Sequence, residues 1–198
     1  MKEMNGFQLR REKKENAILQ AALTLSMKSG IQKVTIAEIA EKANVSQVTI
    51  FNYFESKDNL IQMVLKLYVD QTWDEQRKIL DSDLPFKDKL KQLIFNESEY
   101  ANHIHDDFFQ YLVKYYSNGK NYIEELYINE GIPRLIAFFN EGKEQRIIDP
   151  NLSDEAILIY IQMFKEYLQR QDVAQNILPI AEELTKLFFY GIVGNKED

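Results

Sequence analysis

The chain has 198 residues, 45% hydrophobic and 28% charged, which is ordinary for a soluble globule with one or two buried cores. It has no cysteine, which removes disulfides, thiol catalysis and cysteine-ligated zinc, and no apolar run long enough to cross a bilayer. The net charge of −7 is unevenly spread: residues 1–60 hold nine Lys and Arg against seven Asp and Glu, whereas residues 61–198 hold fifteen against twenty-four, so a polyanion would meet the first part only.

The N-terminal stretch MKEMNGFQLRREKKEN lacks the apolar segment of a signal sequence, and a cytoplasmic protein is expected. Arg10, Arg11, Lys13 and Lys14 cluster there, ahead of an amphipathic helix that ends at Gly30. A basic cluster of this kind suits backbone phosphates, and it also suits plain solvation.

The stretch from Thr35 to Lys57 predicts two short helices joined by a tight turn and followed by a third helix start. Thr35 with Glu38 three residues on makes a reciprocal capping box, and Ile36, Ile39 and Ala40 form the apolar stripe behind it. Asn44 stands where the chain turns, as the residue other than Gly that best accepts a left-handed backbone. Ser46 caps the second helix, in which Val48, Ile50 and Phe54 are apolar and Gln47, Thr49, Phe51, Asn52 and Tyr53 fall between them. Ser56 caps a third, whose first residue, Lys57, and free amides suit a phosphate. A capped helix pair also occurs in plain helical domains, where Tyr53 and Phe54 are simply core.

Downstream, helices are expected from Asp58 to about Leu80, after Pro85, through Phe108 to Tyr116, from Tyr122 with a disturbance at Gly131 and Pro133, after Ser153, and after Pro179. No sustained two-residue alternation appears, so the fold class is all-α. His103 with Asp106 and Asp107 has helical ligand spacing, but the chain's two histidines make a poor donor set, and no metal or cofactor is expected. The chain lacks a phosphate-binding glycine loop, a nucleophile elbow and a helical histidine pair, so no enzyme is expected.

From Lys13 to Leu65 the sequence resembles the DNA-binding domain of the TetR family of bacterial transcriptional regulators, whose recognition helix usually reads Val-Ser-x-Gly/Ala-Thr-Leu-Tyr-x-Tyr-Phe; here Val45 to Phe54 follow it. Asn44 replaces the usual turn Gly, Val48 a small residue and Phe51 the usual Tyr, which removes one phosphate hydrogen bond and offers apolar contact to thymine methyls instead. The resemblance implies an N-terminal three-helix helix-turn-helix domain, residues 1–55, and a larger helical regulatory domain, residues 56–198, for effector binding and dimerisation. It implies DNA contact by Thr35, Ser46, Gln47, Val48, Thr49, Phe51, Asn52, Tyr53 and Lys57. An effector pocket is expected around Trp73, Tyr100, Phe108, Tyr111, Tyr115 and Tyr127, with nearby Glu97, Glu99, Asp106 and Asp107 favouring a cationic or amphiphilic ligand. A homodimer interface is expected from Ile157, Tyr160, Ile161, Phe164 and Leu168 with Leu184, Leu187, Phe188 and Gly191. The implied function is a ligand-responsive repressor that binds a roughly palindromic double-stranded operator and is released by a small-molecule inducer. The alternative is a DNA-binding dimer governed by a protein partner, or an architectural one.

Overall fold

The computed structural model describes residues 6–117, 122–168, 170, 173 and 178–193, apart from the side chains of 95–103, 116, 117, 165, 168, 178, 189, 192 and 193. The elements are α1 (Gly6–Ser29), α2 (Ile36–Lys42), α3 (Gln47–Phe54), α4 (Lys57–Leu80), α5 (Phe86–His103), α6 (Asp106–Ser117), α7 (Tyr122–Leu126), a π-helical turn (Tyr127–Gly131), α8 (Ile132–Glu144), α9 (Asp154–Leu168), a 3-10 turn (Leu178–Ile180) and α10 (Ala181–Val193). No strand occurs among the described residues, and no helix among them is long and apolar enough to cross a membrane. The basic cluster lies inside α1, whose helix begins at Gly6, rather than ahead of it.

The chain forms two compact units: residues 1–71 with 105–109, and residues 72–104 with 110–198. Helices α4 and α6 each contribute residues to both.

The first unit is built on Ile18, Ala21 and Ala22 of α1, Ile39 and Ala40 of α2, Ile50 and Phe54 of α3, and Leu60, Val64 and Leu65 of α4, all buried. Burying each large side chain contributes about 1.5–3 kcal/mol relative to leaving it in water. Local chemistry sets the angles between these helices. The Thr35 amide donates to Glu38 Oε2 at 2.8 Å while the Glu38 amide donates to Thr35 Oγ1 at 3.2 Å, completing the capping box. These hydrogen bonds from Thr35, with Lys57 nearby, hold the Glu38 carboxyl below its ordinary value.

Helix α2 ends in a Schellman turn: the Val45 amide donates to the Ala40 carbonyl, the Asn44 amide to Glu41, and Asn44 itself is left-handed at φ 54°. The Thr49 amide donates to Ser46 Oγ and the Asn59 amide to Ser56 Oγ, so both expected caps form. Left-handed residues at Glu55 (φ 65°) and Arg146 (φ 56°) carry no such signal in their residue type.

The turn after α1 is held tightly. Gly30 takes φ 84°, the Gln32 amide donates to Asp107 Oδ2 at 3.0 Å, and Lys57 Nζ donates to the Gln32 carbonyl at 3.3 Å. Asp107 is positioned by its own amide, which donates to His105 Nδ1 at 3.1 Å.

The second unit has a core of Ile79, Leu80, Phe86, Leu90, Leu93, Ile94, Phe138, Phe139, Ile148, Ile157 and Ile161. Phe86 and Phe138 stack with ring centroids 4.5 Å apart. Gly142 is required there, since a Cβ would lie 2.8 Å from both Phe86 and Ile148. Lys89, only 6% exposed, is neutralised by Glu141 at 2.8 Å. The disturbance expected at Gly131 and Pro133 is the π turn. Pro133 has no amide for the Asn129 carbonyl and its ring would strike it, so the preceding turn widens and the Ile132 amide bonds Tyr127 instead.

Gly30→Ala tests the α1 turn. A left-handed Cβ costs about 1–2 kcal/mol, and this one would also sit 3.0 Å from Asp107 Oδ2 and His105 Cε1. Denaturant titration should show a loss of at least that size, whereas an unchanged midpoint would refute the account of the turn.

Candidate nucleic-acid interface

Helix α3 divides cleanly between core and solvent. Ile50 and Phe54, one turn apart, are buried, while Gln47, Val48, Phe51 and Asn52 face outward and Thr49 and Tyr53 are half-buried. Val48 is 67% exposed and Phe51 45%, an unusual position for two apolar side chains on a short capped helix. They stand beside the Gln47 and Asn52 amides, which can each donate and accept toward a base edge.

Other expected contacts already have structural duties. The Thr35 hydroxyl serves the capping box. The Ser46 and Thr49 hydroxyls lie 2.8 Å apart in a mutual hydrogen bond at the cap of α3. Lys57 is tied to the Gln32 carbonyl, which places its charge at the start of α4 rather than leaving it to sweep through solvent. Tyr53 has its ring against Phe54, at 6.2 Å between centroids, and under the Arg11 guanidinium at 5.6 Å.

The residues expected around an effector fall in two places. Phe108 is fully buried in the first unit, edge-on to Tyr68 at 5.2 Å. Trp73 and Tyr127 pack on the core of the second unit and meet around Gly131, where a Cβ would lie 3.3 Å from the Tyr127 ring and 4.0 Å from Trp73. The Trp73 indole donates to Glu130 at 3.2 Å, and Arg134 lies over its ring at 5.9 Å while also bonding Asp81. Burial, reinforced by Glu124, raises the Tyr127 hydroxyl above its ordinary value. Tyr111 and Tyr115 are half-buried; the side chains of Tyr100, Glu97, Glu99 and His103 lie outside the described residues. Asp107, one of the acids expected to favour a cation, is bonded to the Gln32 amide.

Much of the face expected to pair two subunits packs inside the single chain. Ile157 and Ile161 are buried in the core. Tyr160 stacks on Phe188 at 5.5 Å, and Phe164 closes edge-on against both. Leu184 is half-buried, and a Cβ on Gly191 would sit 2.9 Å from the Tyr160 hydroxyl, so that glycine admits a neighbouring ring of its own chain. Leu168 lies outside the described side chains. The exposed apolar residues are Ile159, Met163 and Tyr167 on α9, at i, i+4, i+8, and Leu187 and Tyr190 on α10. Of these only Leu187 is among the expected interface residues. The signal for those on α9 is that its apolar arc, bounded by the polar sector of Asp154, Glu155, Gln162 and Glu166, is wider than the core alone covers.

Residues 18–64, from the core of α1 to α4, match the family described as bacterial regulatory proteins, tetR family. The uncharacterized HTH-type transcriptional regulator YvkB of Bacillus subtilis is 50% identical over 48 residues, 24% of this chain and 25% of that protein. The HTH-type transcriptional repressor KstR2 of Mycolicibacterium smegmatis is 26% identical over 92 residues, 46% of this chain and 45% of that one. The matched segment thus spans less than half the length of these curated relatives. The transcriptional regulator FadR of Bacillus subtilis, solved in complex with stearoyl-CoA, shares the fold over 89% of this chain and 98% of its own, with a TM-score of 0.56 at 17% identity. The capped helix-turn-helix of residues 18–64 is thus that of the TetR family of bacterial transcriptional regulators, and the all-helical architecture of the chain as a whole is a fold it shares with FadR.

Proposed function

We propose that the protein is a homodimeric, ligand-responsive repressor, with residues 1–55 reading DNA and residues 56–198 binding an effector and pairing two subunits in the cytoplasm. The observation that carries the reading is the outward face of α3, where Val48 and Phe51 stand exposed between Gln47 and Asn52. Apolar side chains in that position lose nothing by meeting thymine methyls, and the flanking amides supply hydrogen-bond readout. The N-terminus of α4, with Lys57, supplies backbone contacts that fix register.

A two-fold dimer sets two such helices in successive major grooves, about 34–36 Å apart, and so reads a roughly palindromic operator. The exposed apolar residues of α9 and α10 support that pairing. A helix whose apolar arc is wider than the core covers has part of it left to cover once the core is built, and a second copy offers a self-complementary surface.

The effector is proposed to enter the second unit near Trp73 and Tyr127 and to bias α4, which is continuous from Lys57 to Leu80 and belongs to both units. Release then follows from the ligand's preference for the conformation in which the two heads no longer fit the operator. The apolar and aromatic surroundings favour an apolar or amphiphilic molecule, and stearoyl-CoA, bound by FadR, is a sensible first probe. The alternative of a protein partner makes no use of such a site.

Two measurements check the reading. On a genomic fragment selected by the purified protein, Asn52→Ala should lose about 1–3 kcal/mol on the selected site and little on random DNA. Lys57→Ala should weaken both; equal losses from both variants on both DNAs would contradict the assignment of α3. A thermal-shift screen with stearoyl-CoA and a broad set of amphiphiles should yield a stabilising ligand, by about 2.7 kcal/mol at a hundredfold excess over its dissociation constant. That ligand should also lower operator affinity in a gel-shift titration, and a binder without that effect would sink the induction mechanism.

A further inference from the structure

We infer that the first turns of α1 and the second half of α3 form a phosphate-binding cleft, which grips the DNA backbone beside the bases that α3 reads. The inference rests on the DNA-binding reading and adds a second contact surface to it. The cleft is lined by Phe7, Arg10, Arg11 and Lys14 of α1 and by Asn52 and Tyr53 of α3, and has a volume of about 400 Å3. A water in bulk occupies about 30 Å3, so a phosphodiester with its sugar and several waters fits.

Helical spacing makes this more than a basic terminus. Residues 7, 10, 11 and 14 follow i, i+3, i+4, i+7 and continue directly into buried Ile18, Ala21 and Ala22. The three cations therefore lie on the side of α1 that packs against the head, beyond the point where the core ends. Glu12, Glu15 and Lys13 are absent from the lining, and among the described residues no carboxylate pairs with Arg10, Arg11 or Lys14.

The Arg11 guanidinium sits 5.6 Å from the centroid of the Tyr53 ring. Stacking there holds a planar fork of donors at fixed height beside the Tyr53 hydroxyl and the Asn52 amide. Three cations and a phenol, with no acid, recognise a phosphate oxygen, while the Asn52 amide at the edge of the cleft stays with the base readout. The adjacent exposed Phe7 offers an apolar surface to the sugar. Since phosphates carry no sequence information, the cleft contributes affinity and register while α3 keeps the base choice.

The test uses full-length protein and a genomic fragment that the wild type selects. Fluorescence anisotropy across a salt series should show a shallower dependence for the triple variant Arg10→Ala, Arg11→Ala, Lys14→Ala, by about 0.9 in log–log slope for each phosphate no longer neutralised. Ethylation interference should lose the phosphates flanking the contacted bases, while the ranking of mutated sites stays as in the wild type. Lys13→Ala makes one of the same charge changes outside the cleft and should leave the interference pattern intact; Arg11→Lys should keep most of the slope and lose part of the affinity. A triple variant with unchanged slope and interference, or a Lys13→Ala variant that erases the same phosphates, overturns the cleft alone. A wild type that selects no fragment overturns the DNA-binding reading and the cleft with it.

Discussion

The left-handed backbone at Asn44 is the constraint on which the reading head depends. With φ at 54° the chain reverses in two residues, the Val45 amide reaches the Ala40 carbonyl, and Ser46 arrives in position to cap α3. Only then do Ile50 and Phe54 face the core while Gln47, Val48, Phe51 and Asn52 face outward. A residue that resisted that conformation would rotate α3 or move its start, and a rotation of about 100°, one residue on the wheel, carries Phe51 toward the core and Ile50 out of it. Asn tolerates the conformation at a lower cost than any residue except Gly, so replacing the turn glycine usual in the family leaves the geometry standing.

The turn after α1 is the second fixed point. Asp107 holds the Gln32 amide from one side and Lys57 holds the Gln32 carbonyl from another, so the peptide groups of Gln32 are satisfied by side chains far apart in sequence. The start of α6 thereby belongs to the same compact unit as the helix-turn-helix. The chain crosses between that unit and the rest three times, within α4, just before α6 and within α6, so a shift in the second unit has three covalent routes to the head.

Short-range chemistry was the most legible part of the sequence. Caps at Thr35, Ser46, Ser56 and Ser153, the turn at Asn44 and the disturbance before Pro133 all depend on residues within five positions of one another, and each forms as its residue types require. What stayed hidden was decided over longer range or carried no residue signature. Glu55 and Arg146 take left-handed turns with side chains that give no hint of it. Lys57 is tied to a carbonyl twenty-five residues away, and α1 starts several residues before its apolar face does. In α9 the difficulty was degeneracy. The two sides of one wide apolar arc have the same period, and nothing local tells which one the protomer's own Phe188 will cover.

That degeneracy bears on the central claim, that two copies pair through the face that α9 and α10 leave exposed and so present two reading helices to one operator. Sedimentation of the wild type and of Met163→Glu, at the exposed centre of α9, tests it most directly. The account predicts a wild-type dimer and a folded, helical Met163→Glu monomer that no longer protects both halves of a selected site in a footprint. A variant that stays dimeric and protects both halves would contradict it.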